Sequence, residues 1–337
     1  MTHQIEIEGA DVTFACEQGE TVLDAAERQG IELPYACRKG VCGNCCGQVL
    51  AGQLVPGTAG GSAEAGIHSP DEHLFCRAQA ASDLLIRPRH WQRLDPNARK
   101  KLSAKVFRIT RSAPDVTVLQ LRFASGVRVK FKAGQFLQVV LPGGQRRSYS
   151  MANAPHENDG VQLHIRHVDG GLFSEGILST LKAGDTLQVE LPHGDFLLRE
   201  DSERPLLLVA GGTGFAPIKS ILDHMVRRKL HRPVTLYWGS RTPAGLYASD
   251  TVARWQQQLP GLQYIPVVSR PAPEDQWAGR IGRLPAAVAQ DARRLESYEV
   301  YACGAPAMIV ALRKVCTDDL GLPGDRFFSD AFVSAAS

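Results

Sequence analysis

The chain has 337 residues, which predicts two or three domains at roughly 100–200 residues each. Its 38 Lys and Arg against 35 Asp and Glu give a net charge of +3, too balanced for a nucleic-acid binder that works through bulk charge. A hydrophobic fraction of 44% with 22% charged residues excludes intrinsic disorder. No uncharged apolar run approaches the roughly 18 residues of a membrane span, and the first residues lack a secretory pattern. We therefore expect no membrane association and a cytoplasmic location.

The first segment predicts a small domain with strands and one helix. Ile5 and Ile7 alternate with polar residues, which is typical of a half-buried strand, and apolar residues a little further on suggest a hairpin partner. Thr21 stands at the N-cap position of a predicted helix. The stretch 36–46 is rich in glycine and cysteine and reads as a loop. A hairpin, a helix, a loop and returning strands are compatible with a β-grasp fold.

Five of the eight cysteines cluster in this segment, and in a reducing compartment such a cluster indicates metal or redox chemistry. Cys37, Cys42 and Cys45 have the spacing C-x4-C-x2-C, and Cys76 follows further along the chain. This is the spacing of plant-type [2Fe–2S] ligands. A structural zinc site or a few buried free thiols are the alternatives, although zinc loops usually bring a second C-x2-C pair. Whether Cys46 competes as a ligand stays open.

Two further changes of pattern follow. A polar, basic, proline-containing stretch reads as a linker. Beyond it, Leu119, Leu121 and Phe123 alternate with polar residues, and two later triplets repeat this pattern between Gly and Pro turns. Several short strands of this kind predict an antiparallel β-barrel.

The barrel segment carries a motif suited to a flavin. Arg147 can pair with a pyrophosphate, the planar ring of Tyr149 can cover an isoalloxazine face, and the Ser150 hydroxyl can reach a ring nitrogen. The run 170–174 opens a predicted helix, whose free N–H groups suit phosphate. An exposed basic turn with a packed tyrosine is the alternative. The position of the motif between a redox cluster and a nucleotide-type sheet favours the flavin.

The last segment alternates strand, loop and helix, which predicts a parallel α/β sheet. The run Gly211–Pro217 joins a buried strand to a helix, and its glycines allow a ligand to approach the backbone. A tight turn without a ligand is the alternative. Cys303 and Gly304 end a later strand, so both loops are expected at one crevice, although a lone cysteine there is often only packed.

These motifs occur in order along nearly the whole chain, and together they resemble the reductase components of multicomponent aromatic-ring oxygenases. The resemblance implies a plant-type ferredoxin domain, an FAD-binding barrel and an NAD(P)-binding domain of the ferredoxin–NADP reductase type. Electrons would pass from NAD(P)H through FAD and a [2Fe–2S] cluster to a terminal oxygenase. A monomer is expected. The implied divisions are the ferredoxin domain at 1–90, a linker at 91–103, the barrel at 104–202 and the nucleotide domain at 203–337.

The resemblance also implies site residues, position by position. The metal ligands are Cys37, Cys42, Cys45 and Cys76. The FAD-binding residues are Arg147, Tyr149, Ser150, Ile165, Arg166, Gly171, Phe173 and Ser174. The nicotinamide nucleotide meets Gly212, Thr213 and Gly214, with Cys303 beside its ring, and hydride transfer is expected at Ser150 and Cys303. Phe332 lies in a segment, Ser329-Asp-Ala-Phe332, that approaches the flavin in the family, but five residues follow it here.

The sequence leaves open which nicotinamide nucleotide donates the electrons and which protein accepts them. Ser269 and Arg270 follow a predicted strand, as a Ser-Arg pair that holds the 2′-phosphate does in ferredoxin–NADP reductases, so we expect NADPH to be accepted. Many relatives prefer NADH. Arg38, Lys39 and Arg77 flank the ligand cysteines and would meet an acidic partner or only solvent. The alternative acceptors are a deoxysugar dehydrase or a phenol-type monooxygenase, and the alternative class is a redox sensor.

Overall fold

The computed structural model describes residues 2–58, 71–95 and 97–333, and it contains three large β-sheets that follow one another along the chain. In the part of the chain so described, no helix is both long and apolar enough to span a bilayer. The predicted fold class is confirmed, because each sheet has the architecture that its segment of sequence indicates.

The first domain is built on a five-stranded sheet. Its elements are β1 (Thr2–Ile7), β2 (Thr13–Glu17), α1 (Val22–Arg28), β3 (Ile31–Glu32), β4 (Cys46–Ala51), β5 (Glu72–Leu74) and β6 (Leu84–Pro88). The strand order is β2-β1-β6-β4-β5, with β1 antiparallel to β2 and parallel to β6. Thr21 caps α1, because its Oγ1 accepts a hydrogen bond from the Asp24 N–H at 3.1 Å. The predicted hairpin, helix and returning strands are therefore present, as a β-grasp fold requires.

The stretch predicted to be a linker contains strand segments. A short strand, β7 (Gln92–Arg93), pairs antiparallel with β3, so this part of the chain adds to the first domain. The long strand β8 (Lys100–Ala113) then begins inside the same stretch. The polar composition of the stretch reflects exposed strands at a domain edge rather than an extended tether.

The second domain is a closed antiparallel sheet. Its further elements are β9 (Val116–Arg122), β10 (Phe136–Val140), β11 (Arg146–Ser150), β12 (Gly160–Arg166), a π-helical turn (Leu172–Ile177) that continues into α2 (Leu178–Thr180), and β13 (Thr186–His193). The strand order is β11-β10-β13-β8-β9-β12. A bridge between Met151 and Leu163 joins the two ends of this order and closes the barrel. The alternating residues Leu119 and Leu121 point into its core, as predicted.

The third domain is a six-stranded parallel sheet with helices. Its strands are β14 (Leu206–Gly211), β15 (Val234–Ser240), β16 (Leu262–Val268), β17 (Arg280–Ile281), β18 (Glu299–Gly304) and β19 (Phe327–Ala331). Its helices are α3 (Phe215–Arg228), α4 (Ser249–Gln258), α5 (Leu284–Asp291) and α6 (Pro306–Lys314). The order is β17-β16-β15-β14-β18-β19, and every neighbouring pair is parallel. All carboxyl ends therefore meet at one edge of the sheet.

Short helical turns connect these elements. The described residues include 3-10 turns at Pro142–Gly144, Gly212–Gly214, Pro243–Gly245, Pro273–Asp275 and Gly324–Arg326, and a π-helical segment, Val315–Asp319, follows α6.

The first domain lies against both of the others. Ala36 and Cys42, from its cysteine loop, belong to the same buried apolar cluster as Val209 and Ala302 of the third domain. Phe136 of the barrel packs with the core of the first domain and makes an edge-on ring contact with Tyr35, with ring centroids 6.4 Å apart. The cysteine loop is thus enclosed between domains.

Candidate functional site

The four cysteines predicted to hold a cluster meet in two pairs. The Sγ atoms of Cys45 and Cys76 lie 3.1 Å apart, and the thiols of Cys37 and Cys42 are hydrogen-bonded to each other. The backbone N–H groups of Lys39 and Cys42 each donate to Cys37 Sγ at 3.4 Å. Two pairs of sulfurs, with N–H groups directed at sulfur, fit the ligand set of a two-iron cluster.

The backbone of this loop requires glycine. Gly40 and Gly43 have φ angles of +76° and +74°, in the left-handed region that side chains with a Cβ rarely adopt. At Gly40 an added Cβ would also lie 3.1 Å from Arg77 Cγ. The two glycines therefore allow the tight turn that directs backbone N–H groups towards the sulfurs.

The electrostatics of the loop favour a thiolate at Cys37. The hydrogen bond from the Cys42 thiol, followed by backbone N–H groups, lowers the pKa of Cys37 to about 6 despite its burial. Iron binds thiolates rather than thiols, so this environment suits a ligand. Within the described residues, no three Cys, His, Asp or Glu side chains converge on a single ion. The sulfurs instead form the two pairs described above.

Cys46 points away from these pairs. It opens β4 opposite Leu74, and the charged groups nearest to its buried thiol are Arg89, Glu72 and Arg313. Burial raises the pKa of its thiol. The geometry supports Cys45 over Cys46, and the ligand assignment stays a prediction.

Of the three cations beside the cysteines, one is engaged inside the protein. Arg38 forms ion pairs with Asp24 and Glu27, and its guanidinium lies 4.2 Å from the ring centroid of Tyr35. Lys39 and Arg77 are exposed. Only these two are therefore free to face a partner.

The predicted flavin motif lies on β11, beside β10. Ser150, opposite Phe136 in the strand register, has a buried hydroxyl without a hydrogen-bond partner. An unpartnered buried hydroxyl is costly, and a ligand atom that bonds to it removes that cost. The ring of Tyr149 lies 5.3 Å from that of Phe173, centroid to centroid, whereas Arg147 is half-exposed and bonds only to its neighbours. These residues fit a bound flavin.

The residues predicted around the pyrophosphate differ in how accessible their side chains are to a cofactor. Ile165 is fully buried in the barrel core, so only its backbone is available to a cofactor. Arg166 pairs with Asp115 at 3.2 Å. An added Cβ at Gly171 would overlap Ser174 Oγ, which itself accepts a hydrogen bond from the Val168 N–H. The predicted helix at this point begins with Leu172 and has π-helical geometry.

The glycine loop of the third domain brings three predicted segments together. An added Cβ at Gly214 would overlap the carbonyl oxygen of Cys303, so only glycine allows the loop to lie against β18. At Gly212 an added Cβ would lie 3.3 Å from the Arg166 guanidinium of the barrel. Thr213 is buried between these glycines. The predicted nucleotide loop, the strand-end cysteine and the flavin domain thus share one place.

Cys303 lies opposite the carboxyl group of Asp330, to which the sequence motifs give no role. Cys303 is fully buried at the end of β18, and its partner in the register with β19 is Asp330. Burial, and next the charge of Asp330, raise the pKa of the Cys303 thiol, so the sulfur is a neutral, polarisable contact. Burial, and next the charge of Cys37, raise the pKa of Asp330 to about 7. Phe332 follows, with its N–H bonded to the Gly304 carbonyl at 2.8 Å.

The predicted Ser-Arg pair follows β16, next to Arg241, which follows the adjacent strand β15. Ser269 follows β16 and donates to the Ser240 carbonyl at 3.3 Å, and the Arg270 N–H bonds to the Arg241 carbonyl at 2.8 Å. Both arginine side chains are exposed, and neither forms an ion pair with any residue that the structure describes. The two guanidinium groups are therefore available to a phosphate.

Three buried polar residues near these sites carried no assignment from the sequence. Asp330 stands in a segment already singled out, and a carboxylate in an apolar strand end was the signal that could have found it. Arg313 and Ser329 both bond to the Cys42 carbonyl. Their separations of 271 and 287 residues from Cys42 leave no local sequence signal.

Three family profiles match the chain in the order of the domains. The 2Fe-2S iron-sulfur cluster binding domain matches residues 5–81 and the oxidoreductase FAD-binding domain residues 103–197. The oxidoreductase NAD-binding domain matches residues 208–314. The cofactors implied by the sequence, a [2Fe–2S] cluster, FAD and a nicotinamide nucleotide, are those of these families.

Full-length relatives share this layout. A Comamonas terephthalate 1,2-dioxygenase reductase component is 45% identical over 99% of this chain and 98% of its own length. A Yersinia pestis CDP-6-deoxy-L-threo-D-glycero-4-hexulose-3-dehydrase reductase is 35% identical over 99% of both chains. The crystal structure of an Amycolatopsis cytochrome P450 reductase superposes with a TM-score of 0.76 at 31% identity, covering 98% of this chain and 99% of that one.

The architecture and these likenesses define an oxidoreductase of three modules, for iron–sulfur cluster, FAD and nicotinamide nucleotide. The chain belongs to the family of iron–sulfur flavoprotein reductases that serve as reductase components of oxygenase systems. The resemblance predicted from the sequence motifs is confirmed.

Proposed function

We propose that this reductase delivers electrons to the terminal component of an aromatic-ring-hydroxylating oxygenase. The observation that carries the proposal is the 45% identity, along both full lengths, to a reductase component of terephthalate 1,2-dioxygenase. When bound, FAD accepts a hydride from the nicotinamide and gives up electrons singly, and the cluster carries one electron at a time. The role of the chain is to hold these groups in line.

The hydride site is proposed between Ser150, at the end of β11, and Cys303, at the end of β18. The buried Ser150 hydroxyl would donate a hydrogen bond to the flavin ring, while the small Cys303 sulfur would leave room for the nicotinamide. Asp330, beside Cys303, is a third candidate to orient a ring. Because hydride transfer needs closely aligned rings, positioning dominates here over acid–base chemistry.

The cluster is proposed immediately beside this site. Ser329, directly before Asp330 on β19, donates to the Cys42 carbonyl at 2.9 Å, so the cysteine loop adjoins the strand that carries this carboxyl group. Cys42 packs in the apolar core of the third domain. A cluster held by these cysteines would therefore lie beside the third domain, where it could receive electrons that bound FAD supplies.

The test is a coupled assay with purified terminal components. The oxygenase component of a terephthalate 1,2-dioxygenase, other ring-hydroxylating oxygenases and a deoxysugar dehydrase are each offered the reductase with NADH or NADPH. We expect product formation, coupled to nucleotide oxidation, with a ring-hydroxylating oxygenase. Coupled turnover with the dehydrase alone would contradict the proposal and favour the second candidate, which rests on 35% full-length identity to a dehydrase reductase.

The face that meets this partner is proposed around Lys39 and Arg77, the exposed cations beside the predicted ligands. Opposite charges steer encounter and set orientation more than they set affinity. Charge reversal at both positions should raise the KM for the protein acceptor and leave ferricyanide reduction unchanged. An unchanged KM for the acceptor would place the docking face elsewhere.

The domain divisions, the oligomeric state and the location of the protein in the cell are proposals as well. Domain divisions at 1–90, 104–202 and 203–337, a monomeric state and a cytoplasmic location are proposed from the sequence pattern, and the predicted linker 91–103 holds β7 and the start of β8. Size-exclusion chromatography with light scattering tests the monomer.

A further inference from the structure

The cysteine loop is held by a buried cation from the third domain. Arg313, near the end of α6, is 2% exposed, and its Nη2 donates to the carbonyl oxygen of Cys42 at 2.7 Å. The guanidinium lies 4.4 Å from the ring centroid of Phe327, which fixes its plane. The side chain therefore reaches across a domain boundary to one carbonyl of the predicted iron loop.

A second donor meets the same carbonyl. Ser329 on β19 is fully buried, and its Oγ donates to the Cys42 oxygen at 2.9 Å. The Ser329 N–H also lies 3.5 Å from Asn44 Oδ1, two residues further along the loop. Since Asp330 follows Ser329 directly, the contacts that hold the loop and the strand end that carries the proposed hydride site belong to one strand.

Among the residues that the structure describes, Arg313 forms no ion pair with a carboxylate. The titratable groups that face its guanidinium are Arg89 and the thiols of Cys42, Cys46 and Cys316. A guanidinium stays protonated at neutral pH, so the side chain carries a full positive charge. A buried cation is costly unless an anion compensates it, and leaving it unpaired is strongly destabilising. The predicted ligand set, as thiolates with bridging sulfides, would supply negative charge next to the guanidinium, which already bonds to the Cys42 carbonyl.

We propose that Arg313 is the positioning residue of the iron–sulfur centre. With Ser329, it holds the Cys42 carbonyl, and so the cluster loop, beside the strand ends of the third domain. Its positive charge stabilises the additional electron of the reduced cluster. This inference rests on the proposed function, because it takes Cys42 as one of the four ligands.

The experiment compares Arg313→Met, which removes charge and donors at similar length, with Arg313→Lys, which keeps the charge and loses the planar fork. Ser329→Ala removes only the second donor. Arg294→Met, at a side chain 77% exposed, is the matched control. For each full-length protein, iron and flavin contents are measured. The cluster midpoint potential is then obtained by EPR-monitored redox titration, and the rate of cluster reduction by anaerobic stopped flow.

Arg313→Met should shift the cluster potential to a more negative value while the flavin potential stays that of the wild type. Arg313→Lys should keep the cluster potential close to wild type. Cluster reduction should slow by about tenfold or more in both, because small displacements of the reacting partners are costly. Ser329→Ala should slow cluster reduction without moving the potential, and Arg294→Met should change neither quantity.

A wild-type cluster potential together with a wild-type reduction rate in Arg313→Met would overturn the inference. If Arg313→Met loses its iron, Arg313→Lys and Ser329→Ala decide, and wild-type cluster reduction in both would overturn it equally. The proposed function fails separately, if the wild-type protein shows no [2Fe–2S] EPR signal on reduction with NADH or NADPH.

Discussion

At the scale of single residues, the proposed hydride site depends on a side chain with no spare room. Cys303 is fully buried, its carbonyl is in contact with the glycine loop, and Asp330 lies opposite on the next strand. A leucine in place of this cysteine overfills the site, at a cost of about 1–3 kcal/mol, and displaces the nicotinamide. Serine is nearly the same size and preserves the space.

We therefore expect Cys303→Leu to slow flavin reduction by NAD(P)H on the order of a hundredfold, and Cys303→Ser to slow it much less. Ser150→Val should also slow it, because the hydrogen bond to the flavin is lost. Anaerobic stopped-flow reduction gives the rate, with flavin content measured on the same samples. Cys316→Leu, at another buried cysteine of the third domain, controls for overpacking alone. Wild-type rates in both Cys303→Leu and Ser150→Val would remove these residues from the hydride site.

Donor choice is a residue-scale property as well. Arg270 is exposed at the end of β16 and free of ion pairs with the described residues, so it is available to the 2′-phosphate of NADPH. Arg270→Ala should raise the KM for NADPH several-fold and leave the KM for NADH almost unchanged. Arg227→Ala, at an exposed position on α3, is the matched control. If Arg270→Ala leaves both Michaelis constants unchanged, the phosphate-binding role is wrong.

At the scale of elements, the cysteine loop separates ligands from a bystander. Cys76 lies within 3.1 Å of Cys45, whereas Cys46 begins a strand and its thiol faces charged side chains. Cys76→Ser should lose the cluster and keep FAD, and Cys46→Ser should keep about two irons per chain. Iron, sulfide and flavin analyses of both variants check this. Loss of iron in Cys46→Ser, with normal iron in Cys45→Ser, would reverse the ligand assignment.

Local patterns were sufficient to predict these elements. Alternation at Ile5 and Ile7 identified β1, the hydroxyl of Thr21 identified the start of α1, and the cysteine spacing identified the loop. Each of these signals lies within a few residues of the feature it predicts, because strand period, capping and turn chemistry are local.

Contacts between distant segments could not be predicted in the same way. The hydrogen bond from Arg313 to Cys42 joins residues 271 positions apart, and the pairing of Cys303 with Asp330 depends on the register of two strands. The strand β7, in a stretch that reads as a linker, exists because it pairs with β3. Nothing in the composition of these segments specifies a partner. The contacts of Arg313 and Asp330 with the predicted site residues could therefore be found only in the folded structure.

At the scale of the whole molecule, the third domain contacts both the barrel and the cysteine loop. The proposed electron route therefore runs within one packed set of three domains. Lys219 Nζ and Ser220 Oγ on α3 donate to the carbonyls of Ala152 and Asn153 at 3.1 and 2.7 Å, which joins the nucleotide domain to the end of the flavin motif. The cysteine loop joins the same domain through Cys42. These contacts place the nucleotide domain against both of the others, while the order of electron flow is inferred from the motifs and the family.

This arrangement predicts that removing the cluster separates two activities: electron transfer from NAD(P)H to the flavin is retained, and electron transfer to one-electron protein acceptors is lost. In full-length Cys76→Ser the flavin and nucleotide sites keep their own cores, so NAD(P)H oxidation with ferricyanide, which takes electrons from the flavin, should persist at close to the wild-type rate. Reduction of cytochrome c and turnover of the terminal oxygenase should be lost, because both need the one-electron centre beside Asp330. Steady-state assays with the three acceptors on one preparation measure the division, with Cys46→Ser as the control that retains all three activities. Oxygenase turnover at the wild-type rate in an iron-free Cys76→Ser protein would show that the flavin passes electrons directly to the partner and that the cluster lies off the route.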